Sequence, residues 1–207
     1  ATPKETRTLS PEISRLKETL SNNNSRVLVY DGIYNPFLTP ALSISSETPS
    51  LAGYSPLLLQ GYYDLTQINN IGKAEDITKI INTNNQTLDI LTAEYIIIDK
   101  SLEKFMDNSR YDLENTLGAN HLYRNTNVLP RAYFVNELYF SENDSEVLSL
   151  IQGNSKGEEL NLRNTAIIND RNLMSLSLST NNPEQHSVKI ISSTSDKINL
   201  ETQTTAE

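Results

Sequence analysis

The sequence contains no cysteine, no tryptophan and only two histidines, and no apolar run approaches the roughly 18 residues of a membrane-spanning helix. Without cysteine there is neither a disulfide nor a thiolate metal site, although a chain free of cysteine is at home in any compartment. The missing tryptophan decides nothing about chemistry. His121 and His186 lie far apart in sequence, and neither has a partner at metal-ligand spacing. No Gly-x-Ser-x-Gly elbow, phosphate-binding P-loop or dinucleotide glycine pattern occurs. Residue types and spacings therefore point to no catalytic constellation, no metal and no cofactor.

Basic residues are also scarce. With 17 Lys and Arg against 26 Asp and Glu, the formal net charge is −9. That balance argues against a nucleic-acid partner, because phosphate recognition needs a basic face to displace counterions. It argues equally against docking on anionic lipid. The plainest reading of the acidity is a solvated surface. The apolar share of 37 % is low for a globular chain but compatible with one core. At 207 residues there is room for one large domain or two small ones.

What the sequence does contain is concentrated between Leu88 and Val135. Leu88, Ile90 and Leu91 read as a short helix running into Tyr95-Ile96-Ile97-Ile98, a strand buried on both faces. His121 to Arg124 reads as a second strand, Asn125-Thr126-Asn127 as a turn, and Tyr133 to Val135 as a third strand after Leu129-Pro130-Arg131-Ala132. Upstream, Ser10-Pro11 marks a helix start, and Arg26 to Tyr30 reads as a strand. Ser55-Pro56 starts another helix carrying Leu58, Tyr62 and Leu65, with Gly61 placed for close packing. Glu75 to Asn82 reads as a further short helix, Ser101 as the cap of one carrying Leu102, Phe105 and Met106, and residues 111–120 as loop.

Downstream, Asp144 caps a helix with Val147, Leu148 and Ile151, ended by Gly153. The pattern then changes to period two. Ala166 to Ile168 is a strand, followed by the alternations at Met174–Leu178, Val188–Ile190 and Ile198–Thr202 that belong to antiparallel strands with one wet face. The expected fold is α/β, in the mixed α+β sense: a central sheet flanked by helices over residues 10–150, and antiparallel β-strands over 160–207, within a single domain 1–207.

Few local motifs invite a functional reading. Arg131 in Leu-Pro-Arg-Ala offers a planar fork to a phosphate or carboxylate; its structural reading is pairing with an internal acid at a strand entry. The carboxylates Glu75-Asp76 and Glu158-Glu159 sit in polar surroundings and read as solvated. Asn-x-Ser/Thr triplets at Asn23, Asn85 and Asn143 are expected by chance in so Asn-rich a chain. The long connection 33–52 follows the carboxyl end of the first strand and leads into the Pro56 helix start. Ligands gather at such places in open α/β sheets, and the helix start supplies unpaired N–H groups. Tyr30, Tyr34 and Tyr54 add stacking surface for a sugar ring and Ser55 the cap. Tyr30, Tyr34, Tyr54, Ser55 and Arg131 are thus the candidate ligand-binding residues. The same side chains would also make an ordinary small core beneath a long loop.

Three pieces in order carry a family resemblance: GYSPLLLQGYYDL (53–65), LDILTAEYIIID (88–99) and HLYRNTNVLPRAYFV (121–135). Together they resemble the extracytoplasmic segment of large multi-pass bacterial membrane proteins of the YfhO type. Ser55 stands where the family has Asp, and Tyr123-Arg124-Asn125 where it has Tyr-Glu-Asn. The resemblance covers roughly residues 26–200. It implies a parent similar to glycosyltransferases that take sugar from a polyprenyl-phosphate donor and glycosylate cell-envelope polymers of the teichoic-acid kind. The parent would be held in the cell membrane by flanking helices, with this domain on the extracytoplasmic side.

The family's catalytic carboxylate is expected near the first spanning helices, and nothing here maps to it. The implied partners are envelope glycan or a polyprenyl-phosphate sugar, and no cofactor. The chain opens at Ala1 without a start methionine or leader-like stretch and stops at Glu207, before the family's Tyr-Pro-Gly-Trp turn. The expectation is therefore an excised or processed outer domain, itself non-catalytic. The other reading is a stand-alone extracytoplasmic binding or assembly module for glycan or a protein partner.

Overall fold

The computed structural model describes residues 11, 14, 18, 25–30, 50–51, 60–68, 75–154, 160–173, 186–194 and 197–204. Its centre is a four-stranded mixed sheet in the order β1-β2-β4-β3: β1 (Arg26–Val29), β2 (Ala93–Asp99), β3 (Tyr111–Leu117) and β4 (Asn120–Asn125). β1 runs parallel to β2, with Leu28 opposite Ile96, and β4 is antiparallel to both β2 and β3. The run Tyr95–Ile98 accordingly lies inside the sheet, and every residue from Ala93 to Ile98 is buried. On one face Leu28, Ile96 and Ile98 meet Ile77, Ile80, Ile81 and Leu88 in the main core. On the other, Val27, Val29, Tyr95 and Ile97 gather with Leu117.

Helices cover the first face: α1 (Gln60–Thr66), α2 (Ile77–Ile80) and α3 (Thr87–Ile90). Asp76 caps α2 through the Thr78 N–H at 3.2 Å. α3 is a single turn that leads directly into β2, because the apolar helical spacing of Leu88 and Leu91 gives way within three residues to a run with β propensity. Among the described residues, a Cβ at Gly61 would meet nothing within 4 Å.

β3 corrects the expectation of a loop over 111–120. Only Tyr111 and Leu117 are buried in it, and the five residues between are exposed. Tyr111, Leu113 and Leu117 share one phase of an alternation, but Asn115 interrupts it at a bulge and Leu113 is itself exposed on the sheet edge, which blunts the period-two signal. The strand turns back into β4 through Gly118 at φ +62°. The strand expected at Tyr133–Val135 falls instead at β5 (Glu137–Phe140). Pairing starts only where a partner begins, with the N–H groups of Asn136 and Glu137 both donating to the Asn164 carbonyl at 3.0 Å.

β5 pairs in parallel with β6 (Thr165–Ile168), and α4 (Asp144–Ile151) connects the two. β6 is therefore a parallel strand, and antiparallel pairing in the C-terminal part is that of the hairpin β7 (Ser187–Ser193) and β8 (Ile198–Gln203). The stretch Met174–Leu178 lies outside the described residues. Two caps sit one or two positions from where the pattern put them. Asn143, not Asp144, accepts from the Glu146 N–H at the start of α4. Asp99, not Ser101, caps the 3-10 turn Lys100–Phe105. No helix among the described residues is long and apolar enough to cross a membrane.

Candidate functional site

Polar side chains collect at the end of the sheet where the parallel strands begin. The segment Asn127–Arg131, entered from β4, crosses this end, and the Leu129 N–H donates to the Asp89 carbonyl at 3.1 Å. Leu129, only 4 % exposed, is the shared wall of two hollows on either side of it.

The first hollow, about 240 Å³, is lined by Thr83, Gln86, Asp89, Arg110 and Arg163 among others. Asp89 and Arg110 form a buried ion pair with side chains 6 % and 3 % exposed. Arg110 also donates to the carbonyls of Asn82 and Thr83, and Asn125 Nδ2 donates to Asp89 at 2.8 Å. Burial raises the Asp89 carboxyl above its usual range, and Arg110 and Asn125 only partly offset that. Most of this polar capacity is satisfied inside the chain, so the cluster works as a latch between α3, the start of β3 and the end of β4.

The second hollow, about 320 Å³, is lined by Ser25, Thr92, Glu94, Pro130 and Arg131, with Val128 and Leu129 as its apolar wall. That volume falls at the low end of the range for small-molecule sites. Glu94 is 5 % exposed. The Ser25 hydroxyl donates to its carboxylate, and Arg124 pairs with it at 3.2 Å. Arg131 is exposed and, among the described residues, bonds the Ser193 hydroxyl at 3.3 Å, not an internal acid. Arg26 lies close enough that burial and then Arg131 lower its pKa from the usual guanidinium value.

Thr92 is the unusual member. It follows α3 in the left-handed region at φ +57°, a place that favours glycine, although it is β-branched. It is 5 % exposed, and its Oγ1 has no hydrogen-bond partner among the described residues. A strained backbone conformation and a buried unmet hydroxyl each cost about 1–3 kcal/mol, and here both fall on one residue.

Of the residues singled out in the sequence, Arg131 stands in this second hollow. Tyr30 packs against the main core at the opposite end of β1, its N–H donating to the Ile97 carbonyl at 2.8 Å. Tyr34, Tyr54 and Ser55 lie outside the described residues. Thr92, Glu94 and Ser25 carried no sequence signal, except that a threonine directly after a helix end is an unfavourable C-cap. A third hollow, about 280 Å³, is rich in amides. There Gln67, Asn85 and Gln152 already donate to the carbonyls of Tyr63, Lys79 and Asp64. Glu75 and Asp76 serve Tyr63 and Thr78, and Glu158-Glu159 lies outside the described residues. His121 and His186 sit on different strands or their flanks, and among the described residues no three His, Asp or Glu form a metal-ligating group.

No family model, curated protein or solved structure matches this chain.

Proposed function

We propose that this chain is the outer, extracytoplasmic domain of a YfhO-type bacterial membrane protein. The parent is glycosyltransferase-like and acts in cell-envelope, teichoic-acid-type glycosylation. This domain is its non-catalytic part and holds envelope glycan or a polyprenyl-phosphate sugar. Helices of the parent anchor it in the cell membrane.

One observation supports the reading most. Two of the three stretches that carry the resemblance, 88–99 and 121–135, also build the polar end of the sheet: β2 pairs with β4, and the Leu129 N–H closes onto Asp89. A motif held for packing alone would not have to place a buried carboxylate, a left-handed threonine and an exposed arginine around one hollow.

The absence of cysteine makes the location testable. Thr116 is exposed on β3, so a Thr116→Cys parent protein carries one labelled site if its other segments are also cleared of cysteine. A membrane-impermeant maleimide should label it in intact cells. Labelling only after lysis would sink the reading.

The other reading is a stand-alone extracytoplasmic module that binds a protein partner. The apolar side chains left on the β7–β8 hairpin favour it, with Ile191, Ile198 and Leu200 at 55, 43 and 49 % exposure. A gene that encodes a leader and stops after this domain would select that reading. Apolar segments of about 20 residues on both sides would select the first.

A further inference from the structure

We propose that the hollow between Thr92 and Arg131 binds a small anion that carries a neighbouring hydroxyl, of the class of sugar acids and sugar or polyol phosphates. The proposal rests on the binding reading above and adds the chemistry of the ligand.

The lining combines a cationic donor with a carboxylate acceptor. Arg131 spends one donor on Ser193 and is otherwise exposed, with the Arg26 charge within electrostatic reach although Arg26 does not line the hollow. A guanidinium with donors to spare favours an oxyanion in its plane. The same lining carries Glu94, a buried carboxylate. A bare anion would be repelled by it, but a hydroxyl hydrogen would be accepted. The Ser25 hydroxyl and Arg124 already hold Glu94 in place, and Arg124 offsets its charge, which leaves it suited to accept, not to be displaced. Thr92 supplies a hydroxyl that meets no partner among the described residues, able to donate or accept as the ligand requires. Its left-handed conformation is fixed by two bonds to its own carbonyl, from the Arg26 N–H at 2.9 Å and the Glu94 N–H at 3.1 Å. The strained backbone is thus tied to the start of β1 at Arg26 and to Glu94 in the lining of the hollow. Strain and an unmet hydroxyl retained together at one pocket point to a role in binding. The apolar residues Val128, Leu129 and Pro130 of the same lining fit the carbon face of such a ligand.

The test is an amide-resolved NMR titration of the full chain with glucuronate and with glycerol 3-phosphate. Inorganic phosphate and a neutral methyl glucoside serve as controls. Amides of Thr92, Glu94 and Arg131 should shift and saturate with at least one hydroxylated anion, about tenfold more tightly than with either control. A preference between the two separates a carboxylate ligand from a phosphate one. Arg131→Gln, on an exposed side chain, should weaken binding about tenfold or more. Thr92→Val should weaken binding without lowering thermal stability, because the hydroxyl it removes has no partner among the described residues; a purely structural threonine would show the reverse. Equal response to inorganic phosphate would reduce the site to an anion patch and overturn the proposal, as would undiminished binding by Arg131→Gln. If envelope-polymer fragments shift other residues while both anions leave this hollow untouched, the site is wrong and the binding reading stands. If nothing shifts anywhere, both fail.

Discussion

Arg110, at the start of β3, closes onto the carboxylate of Asp89, at the end of α3, in a pair that solvent scarcely reaches. The pair joins segments 21 residues apart. With Asn125 it ties the helix before the central strand to both arms of the β3–β4 hairpin. Removing one partner leaves a buried charge with nothing opposite. Arg110→Met should therefore destabilise by about 3–5 kcal/mol in a urea melt. The double change Asp89→Leu with Arg110→Met should recover part of that loss. A single-variant cost under about 1 kcal/mol would mean that the pair behaves like a surface contact.

Ile97 tests the centre of the sheet. It is fully buried, opposite Val29 on one side and Leu122 on the other. Ile97→Ala should cost about 2–4 kcal/mol through the cavity it leaves. A denaturant midpoint unchanged from wild type would take this strand out of the core.

These two sites differ in how far the sequence announces them. Four bulky residues in a row at Tyr95–Ile98 can only be a strand covered on both faces, so β2 was legible, and with it the short α3 before it and β4 after it. The parallel pairing of β1 with β2 was not, because pairing direction is set by chain connection and not by residue type. β3 was hidden because Asn115 interrupts the alternation of Tyr111, Leu113 and Leu117 at a bulge, and the five residues between its ends face solvent on a sheet edge. β5 was displaced by four residues since Tyr133, Phe134 and Val135 have strand propensity but lie ahead of the partner strand. They pack by side chain instead: Tyr133 Oη donates to the Leu162 carbonyl at 2.9 Å, and Phe134 lies against His186. At the candidate site Arg131 stood out through its motif. Thr92 and Glu94 did not, because burial and a left-handed φ are properties of the assembled chain.

Gly153 and Gly61 should respond to alanine with opposite signs. Gly153 ends the α4 segment at φ +67°, and a Cβ there would come within 2.3 Å of the Asn84 carbonyl oxygen. Gly153→Ala is expected to lose about 1–3 kcal/mol from the backbone alone, with more from displacing Asn84. Gly61 lies inside α1 with open space around it among the described residues. Gly61→Ala should gain about 0.5–1 kcal/mol. Thermal melts of the two variants should fall on either side of wild type; a stabilised Gly153→Ala would contradict the contact with Asn84.

Glu146 ties the start of α4 to the end of β5. Its carboxylate accepts from the Glu142 N–H at 2.8 Å, from Tyr139 Oη at 2.8 Å and from the Ser141 hydroxyl at 2.9 Å. The Glu142 N–H first, then the two hydroxyls, hold its pKa below the ordinary value of 4.5. In the unfolded chain those donors are gone and the ordinary value returns. The unfolded state therefore binds this proton more readily, and stability must rise with pH across the interval between the two values. The contribution is fully present above the ordinary value and is lost as pH falls through the depressed folded one. Glu146→Gln keeps the side-chain shape and removes the titration. Urea midpoints measured from neutral pH down past the ordinary carboxylate range should fall less steeply for Glu146→Gln than for wild type, with the difference confined to the acid limb. A parallel decline in both proteins would show that the three donors do not discriminate between the charged and neutral acid, and that the acid sensitivity of this unit comes from elsewhere.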